Sequence, residues 1–192
     1  MNIAEQAALF ARAAHGAIGQ KRKFTGHVPY IMHPERVAQL VTEAQGTNEM
    51  RAAAWLHDVV EDTRITLGEI KWVFGSVIAE YVDWMTEDKV GFSSKKERKE
   101  YTCEKMKSAP YEVRVIKLSD IIANAEDLVL NYEQIKEISP EFPDRWINEQ
   151  RNLFAVIGRD NHPLLHARAN ELLYGRFYEK ELPTHTEPAF VP

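Results

Sequence analysis

The sequence predicts an all-α fold, and three observations predict it. Apolar residues recur three to four positions apart in segment after segment, the period of one helical face. Residues that start or stop helices, among them Pro34, Gly46, Thr66, Ser76 and Pro110, stand where those runs begin or end. No alternating strand pattern is convincing; only VRVIKL, within the run VRVIKLSDII, would pass for a short buried strand.

Taken in order, residues 3–15 place Ile3, Ala7, Phe10 and Ala14 on one face. Pro34 is suited to open a second helix carrying Val37, Leu40 and Val41, with Gly46 beyond its end. A third helix is expected from Glu49 through Val60. Thr66 can cap a short helix through Trp72, and Ser76 another through Met85. The charged segment SKKERKEYTCEKMK (94–107) reads as a helix ended by Pro110, followed by a longer one over 111–130. After Tyr132 the periodicity weakens: SPEFPD is a loop with two prolines, and 144–158 and 163–179 read as two more helices. Residues 1–180 are expected to form a single domain and 181–192 an extended or disordered tail.

With 192 residues the chain can bury a sizeable core, and its 44% hydrophobic and 28% charged residues are ordinary for a globular protein. Lysine and arginine total 24 against 29 acids, a formal net charge of −5, which argues against a nucleic-acid-coating role. A small anionic ligand held in a local basic pocket remains compatible. Cys103 is the one cysteine, so no intrachain disulfide can form. The first residues read as an amphipathic helix, not a signal peptide, and no run approaches the roughly 18 apolar residues of a membrane span. A cytoplasmic protein without a membrane or nucleic-acid partner is expected. Trp84, Phe92 and the charged helix would serve either as a homo-oligomer interface or as core and surface.

The stretch AAAWLHDVVEDT (52–63) joins an apolar helix to an imidazole and three carboxylates. Burying carboxylates without partners costs several kcal/mol each, so His57, Asp58, Glu61 and Asp62 should face water or hold something cationic. Imidazole with carboxylate suits a divalent transition metal such as Mn²⁺, Fe²⁺ or Zn²⁺. Two further ligands are candidates: His33 in PYIMHP, and Asp120, an aspartate flanked by Leu118, Ile121 and Ile122. Glu61 and Asp62 each follow a candidate ligand by four residues, one helical turn on, where a carboxylate can act on a water. The bland alternative is that VVEDT is a solvated helix end and the KRK run at 21–23 a solvated loop.

In this order, GQKRKFTGHVPYIMHP, AAAWLHDVVEDT, TLGEIKWVFG and IKLSDIIAN resemble the HD-domain hydrolases of the RelA/SpoT type, especially the small alarmone hydrolases. The resemblance covers residues 5–130. It implies an HD-domain helical bundle that binds Mn²⁺ and removes the 3′-pyrophosphate of guanosine tetra- and pentaphosphate (ppGpp and pppGpp), the nucleotides of the stringent response. It implies metal ligands at His33, His57, Asp58 and Asp120, and a catalytic pair at Glu61 and Asp62 that orients a water and relays its proton. Substrate contacts are implied at Arg22, Lys23 and Asn124, with Lys95 or Arg98 of the charged helix as further phosphate-holding cations. Gly26 would let the loop turn close to a ligand.

Three positions depart from the family. Better-known members carry basic residues where this chain has Ile121 and Glu126, and a tyrosine in a following helix corresponds to Trp146, which would stack on a base or join the core. An inward Glu126 would repel a polyphosphate. The departures bear on substrate, leaving as alternatives a phosphohydrolase of another nucleotide (the 2′-phosphate of NADPH, or a nucleoside phosphate) and a non-catalytic nucleotide-binding sensor.

Overall fold

A computed structural model describes residues 1–88, 90–158 and 161–175, and among these the chain forms eleven helices and no strand. Two of them make the frame of the site. Helix α3 (Asn48–Leu56) is built around Ala52, Ala53, Ala54 and Leu56, all fully buried. It packs against α1 (Ile3–Ala17), α2 (Met32–Glu43), α6 (Ser76–Met85) and α8 (Tyr111–Leu130). Its small side chains let neighbouring backbones approach closely. The buried stripe of α1 is correspondingly small, Ala4, Ala7, Ala11 and Ala14. Ile3 and Phe10, expected on that face, flank it, and Phe10 meets Phe74 edge-on with ring centroids 5.2 Å apart.

Helix α8 explains the run VRVIKLSDII. It is packed by α2, α3, α6, α10 (Phe142–Ile157) and α11 (Pro163–Tyr174), so its middle is buried on most sides, and the run is helix and no strand. Burying each of Ile116, Leu118, Ile121 and Ile122 contributes about 1.5–3 kcal/mol before entropy is counted. The charged α7 (Lys95–Lys107), capped by Ser94, buries only Met106 and leans on α10.

Several boundaries move. Helix α2 begins at Met32, so Pro34 lies inside its first turn. The expected 49–60 helix is interrupted: α3 ends at Leu56, and α4 (Val59–Asp62) starts after His57 and Asp58. The His57 imidazole bonds the Ala54 carbonyl, which competes with the backbone ladder at that point. Thr66 caps α5 (Leu67–Phe74), as expected, whereas Gly75 at φ 89° takes the cap position of α6 and Ser76 is its first residue. SPEFPD is shorter as a loop than expected, because α9 (Tyr132–Ile138) precedes it and α10 starts at Phe142. The expected tail 181–192 lies outside the described residues.

A second small cluster, Leu128, Ile135 and Ile147 with Phe24, Phe142 and Trp146, anchors the 18–31 segment between α1 and α2. That segment folds back on itself: Tyr30 donates to the Gln20 carbonyl, Arg22 to that of Val28, and Lys21 pairs with Pro29.

Candidate active site

Three elements deliver the four ligand-type side chains to one place. His33 comes from the first turn of α2, His57 and Asp58 from the break between α3 and α4, and Asp120 from mid-α8. Donor atoms of His33, His57 and Asp58 all lie within 4.8 Å of one another. Asp58 Oδ2 is 3.0 Å from His57 Nε2 and 3.6 Å from His33 Nε2. Asp120 Oδ1 is 3.2 Å from His33 Nε2 and 3.9 Å from His57 Nε2.

The donors fit a divalent cation. A carbonyl can only accept, so His57 Nδ1, 2.8 Å from the Ala54 oxygen, must carry the proton. In the neutral ring, Nε2 is then a lone pair aimed at carboxylates, and this buried atom has no hydrogen-bond partner. Only a proton or a cation relieves that opposition. The titration behaviour agrees. Burial alone would lower the His57 pKa, but the Asp58 and Asp120 carboxylates reverse this and raise it to about 9. Burial lowers the pKa of His33, with Asp120 opposing. Burial works against the charged carboxylates, but His57 holds Asp58 below the usual carboxylate range, and Lys117 and His33 hold Asp120 well below it. A cation at His57 Nε2 would take over the role of that proton, and imidazoles with carboxylates suit a transition metal.

The outer contacts were not foreseen. Tyr30 donates its hydroxyl to Asp58 Oδ2 at 2.5 Å, and burial, then Asp58, push its pKa up. Lys117 donates to Asp120 Oδ2 at 2.9 Å; burial would lower its pKa, but Asp120 raises it. Lys117 stands three residues before Asp120, so helical spacing offered a signal for it. Tyr30 offered none, because its bond joins a loop to a helix end 28 residues on.

Two cavities lie by this cluster: Asp58 and Asp120 line the larger, and Tyr30 and Asn124, which bond those two carboxylates, line the smaller. The larger, ≈1050 Å³, lies between α7, α8 and α10 and is lined by Asp58, Glu61, Asp120, Lys117, Lys95 and Lys99 among others. The smaller, ≈350 Å³, is lined by Arg22, Lys23, Tyr30, Asp62, Phe142 and Ile135 among others. Asn124 and Trp146 line both. Asn124 donates to Asp120 Oδ1 at 2.7 Å and accepts from Arg22 Nη2 at 3.0 Å, so it ties the ligand set to the basic loop. Arg22 also bonds Asp127 at 2.7 and 3.1 Å, and Lys23 Nζ lies 5.1 Å from the Phe24 ring centroid and 5.2 Å from that of Phe142.

The carboxylate pair divides between the cavities. Glu61 borders the larger and accepts from the Glu87 backbone N–H at 3.2 Å, whereas Asp62 borders the smaller and accepts from Gln20 Nε2 at 2.8 Å. Arg98 is placed otherwise than expected: its guanidinium meets Glu87, 3.3 Å away, and is not among the residues lining either cavity. Lys95 lines the larger cavity and pairs with Glu149 at 3.1 Å. Gly26 adopts no left-handed conformation, and a Cβ there would meet nothing within 4 Å. Glu126 points the other way, bonding Arg36 at 2.8 and 3.2 Å and pairing with Arg168, while Ile121 is core.

Known proteins share this arrangement of helices. A probable guanosine-3′,5′-bis(diphosphate) 3′-pyrophosphohydrolase of Synechocystis sp. is 35% identical over 146 residues, which are 75% of this chain and 18% of that protein. The guanosine-3′,5′-bis(diphosphate) 3′-pyrophosphohydrolase MESH1 of Mus musculus is 37% identical over 118 residues, 60% of this chain and 65% of that one. Its Homo sapiens counterpart is 37% identical over 125 residues, 64% and 68% of the two chains. The chain thus spans under a fifth of the cyanobacterial relative and about two thirds of the animal ones. A solved structure of a metazoan ortholog of SpoT that hydrolyzes ppGpp superposes with a TM-score of 0.77 at 25% identity, covering 90% of this chain and 94% of that one. A model of the HD domain matches residues 7–148, a span that contains His33, His57, Asp58, Glu61, Asp62 and Asp120, and the chain belongs to the HD-domain family.

Proposed function

We propose that the protein is a Mn²⁺-dependent hydrolase that removes the 3′-pyrophosphate of guanosine tetra- and pentaphosphate. The observation that carries this is the convergence of His33, His57, Asp58 and Asp120 beside a large cavity, joined through Asn124 and Trp146 to a smaller basic and aromatic one. Two adjoining chambers suit a nucleotide that carries phosphates on both sides of its ribose. The likeness to MESH1 and to the SpoT ortholog supports the same substrate.

When bound, the cation supplies the positive charge that polarises a phosphate oxygen and acidifies a water. Glu61, on the larger cavity, orients that water and accepts its proton. The water oxygen bonds to the phosphorus carried by O3′, the P–O3′ bond breaks, and a proton returns to O3′. Asp62 borders the smaller chamber, on the nucleoside side of that bond, and relays the proton to O3′. Lys117 anchors Asp120 by one oxygen and leaves the other toward the histidines. Lys95 and Lys99 offer charge to the pyrophosphate, Arg22 and Lys23 to the rest of the nucleotide. Trp146 offers a ring between the chambers.

Glu126 and Ile121 turn away from both cavities, so neither departure weighs against this substrate. Release of phosphate and pyrophosphate with Mn²⁺ should be measured across guanosine tetraphosphate, NADPH and ordinary nucleoside triphosphates, with Asp58→Ala as blank. Pyrophosphate from guanosine tetraphosphate alone is the expected result. Turnover of another nucleotide instead would move the substrate, and silence across the panel would leave a binding protein.

A further inference from the structure

Buried in α1, away from the ligand set, is an imidazole that the proposed chemistry does not use. His15 is 1% exposed, and its Nδ1 lies 2.7 Å from Gln20 Oε1. Gln20 Nε2 in turn donates to Asp62 Oδ2 at 2.8 Å. Donor and acceptor roles along this chain are fixed by its far end. A carboxylate can only accept, so Gln20 must turn its NH₂ to Asp62 and its oxygen to His15, and His15 Nδ1 must carry a proton. The backbone of Gln20 is pinned as well, donating to the His15 carbonyl and accepting from the Tyr30 N–H. The His15 ring also packs on Tyr30, centroids 5.0 Å apart, and Tyr30 bonds Asp58.

An aspartate on an exposed helix end ordinarily samples several rotamers. Asp62 is exposed, and among the described residues Gln20 donates to its carboxylate. We infer that Gln20 is a positioning residue that fixes the Asp62 carboxylate toward the substrate chamber, with buried His15 locking the amide in the orientation that donates to it. The inference rests on the proposed hydrolysis, in which Asp62 faces the nucleotide. It assigns a role to two residues that touch neither the cation nor the reacting atoms.

The test is a double-mutant cycle on the full chain loaded with Mn²⁺, using pyrophosphate release from guanosine tetraphosphate. Gln20→Leu should lower kcat by about tenfold to a hundredfold, with KM and metal content within about twofold of wild type. In an Asp62→Asn background, measured on its residual activity, the same substitution should cost less than about twofold, because the group it acts through is gone. Gln20→Glu keeps the size and removes the donor, so it should match the Leu variant even if that one folds poorly. The inference is overturned if Gln20→Glu keeps wild-type kcat, or if the loss is undiminished in the Asp62→Asn background, which would make Gln20 merely structural. A wild-type protein silent on this substrate would instead overturn the hydrolase reading, so the two failures are distinct.

Discussion

Asp58 accepts the Tyr30 hydroxyl and lies 3.0 and 3.6 Å from the two histidine Nε2 atoms, so its removal opens the ligand set on one side. Asp58→Ala is expected to lose bound metal and hydrolysis together, read by elemental analysis and pyrophosphate release; a variant with full metal content and activity would sink the assignment. His57 sets the pH dependence. Its pKa is raised to about 9 against an ordinary 6.5, so its protonated form stabilises the metal-free protein fully below about pH 6.5, and that contribution fades as pH climbs through 9. A cation needs the same nitrogen without its proton. Mn²⁺ should therefore bind more tightly at pH 8.5 than at pH 6.5 and release a proton at the lower pH, which calorimetry in two buffers of different ionisation enthalpy measures. Arg22 spends its guanidinium on Asp127 and Asn124 at the mouth of the smaller cavity. Arg22→Ala should raise KM about tenfold, the worth of a charge-assisted hydrogen bond, while metal content stays unchanged. The ligand-type residues were legible because histidines and aspartates stand out in an apolar run. Tyr30, Gln20 and Arg98 were not, because their partners lie on other segments and spacing along one helix says nothing of them.

At the scale of elements, the helices were legible from period and punctuation, and their ends only where a cap acts locally. Thr66 accepts from the N–H of Glu69, three positions on, as its place before an apolar run predicts. The break between α3 and α4 depends on the His57 ring reaching the Ala54 carbonyl, and α9 is held by the small cluster around Ile135. Neither cause is visible in a local pattern. Gly46 was legible as a stop for α2, but it works differently from a left-handed cap. Gln45 takes the positive φ of 55°, and Gly46 is needed because a Cβ would meet Val41 Cγ1 at 2.6 Å and the Val41 carbonyl oxygen at 3.0 Å. Gly46→Ala should therefore destabilise the protein by about 1–3 kcal/mol through crowding of the α2–α3 turn. Urea unfolding would register the loss, and unchanged KM would show that the site is untouched. A midpoint equal to wild type would mean that Val41 yields without cost.

For the whole molecule, the four ligand-type residues also sit at a junction. His33 belongs to α2, His57 and Asp58 to the α3–α4 break, and Asp120 to α8, the helix against which α2, α3 and α11 pack. A cation held there bridges segments up to 87 residues apart (120 − 33), and the unfolded chain offers no such cage. Binding that favours only the folded state adds about 2.7 kcal/mol at a hundredfold excess over Kd. For a chain of this size that corresponds to a rise in Tm of about 5–10 °C. The gain should appear when Mn²⁺ is added to protein stripped with EDTA, reverse on chelation, and vanish in Asp58→Ala and Asp120→Ala. It should persist in Arg22→Ala, whose guanidinium lies outside the ligand set. A gain of equal size in the two aspartate variants would place the cation elsewhere, and no gain in the wild type would mean that the two carboxylates are balanced by His57 and Lys117 alone.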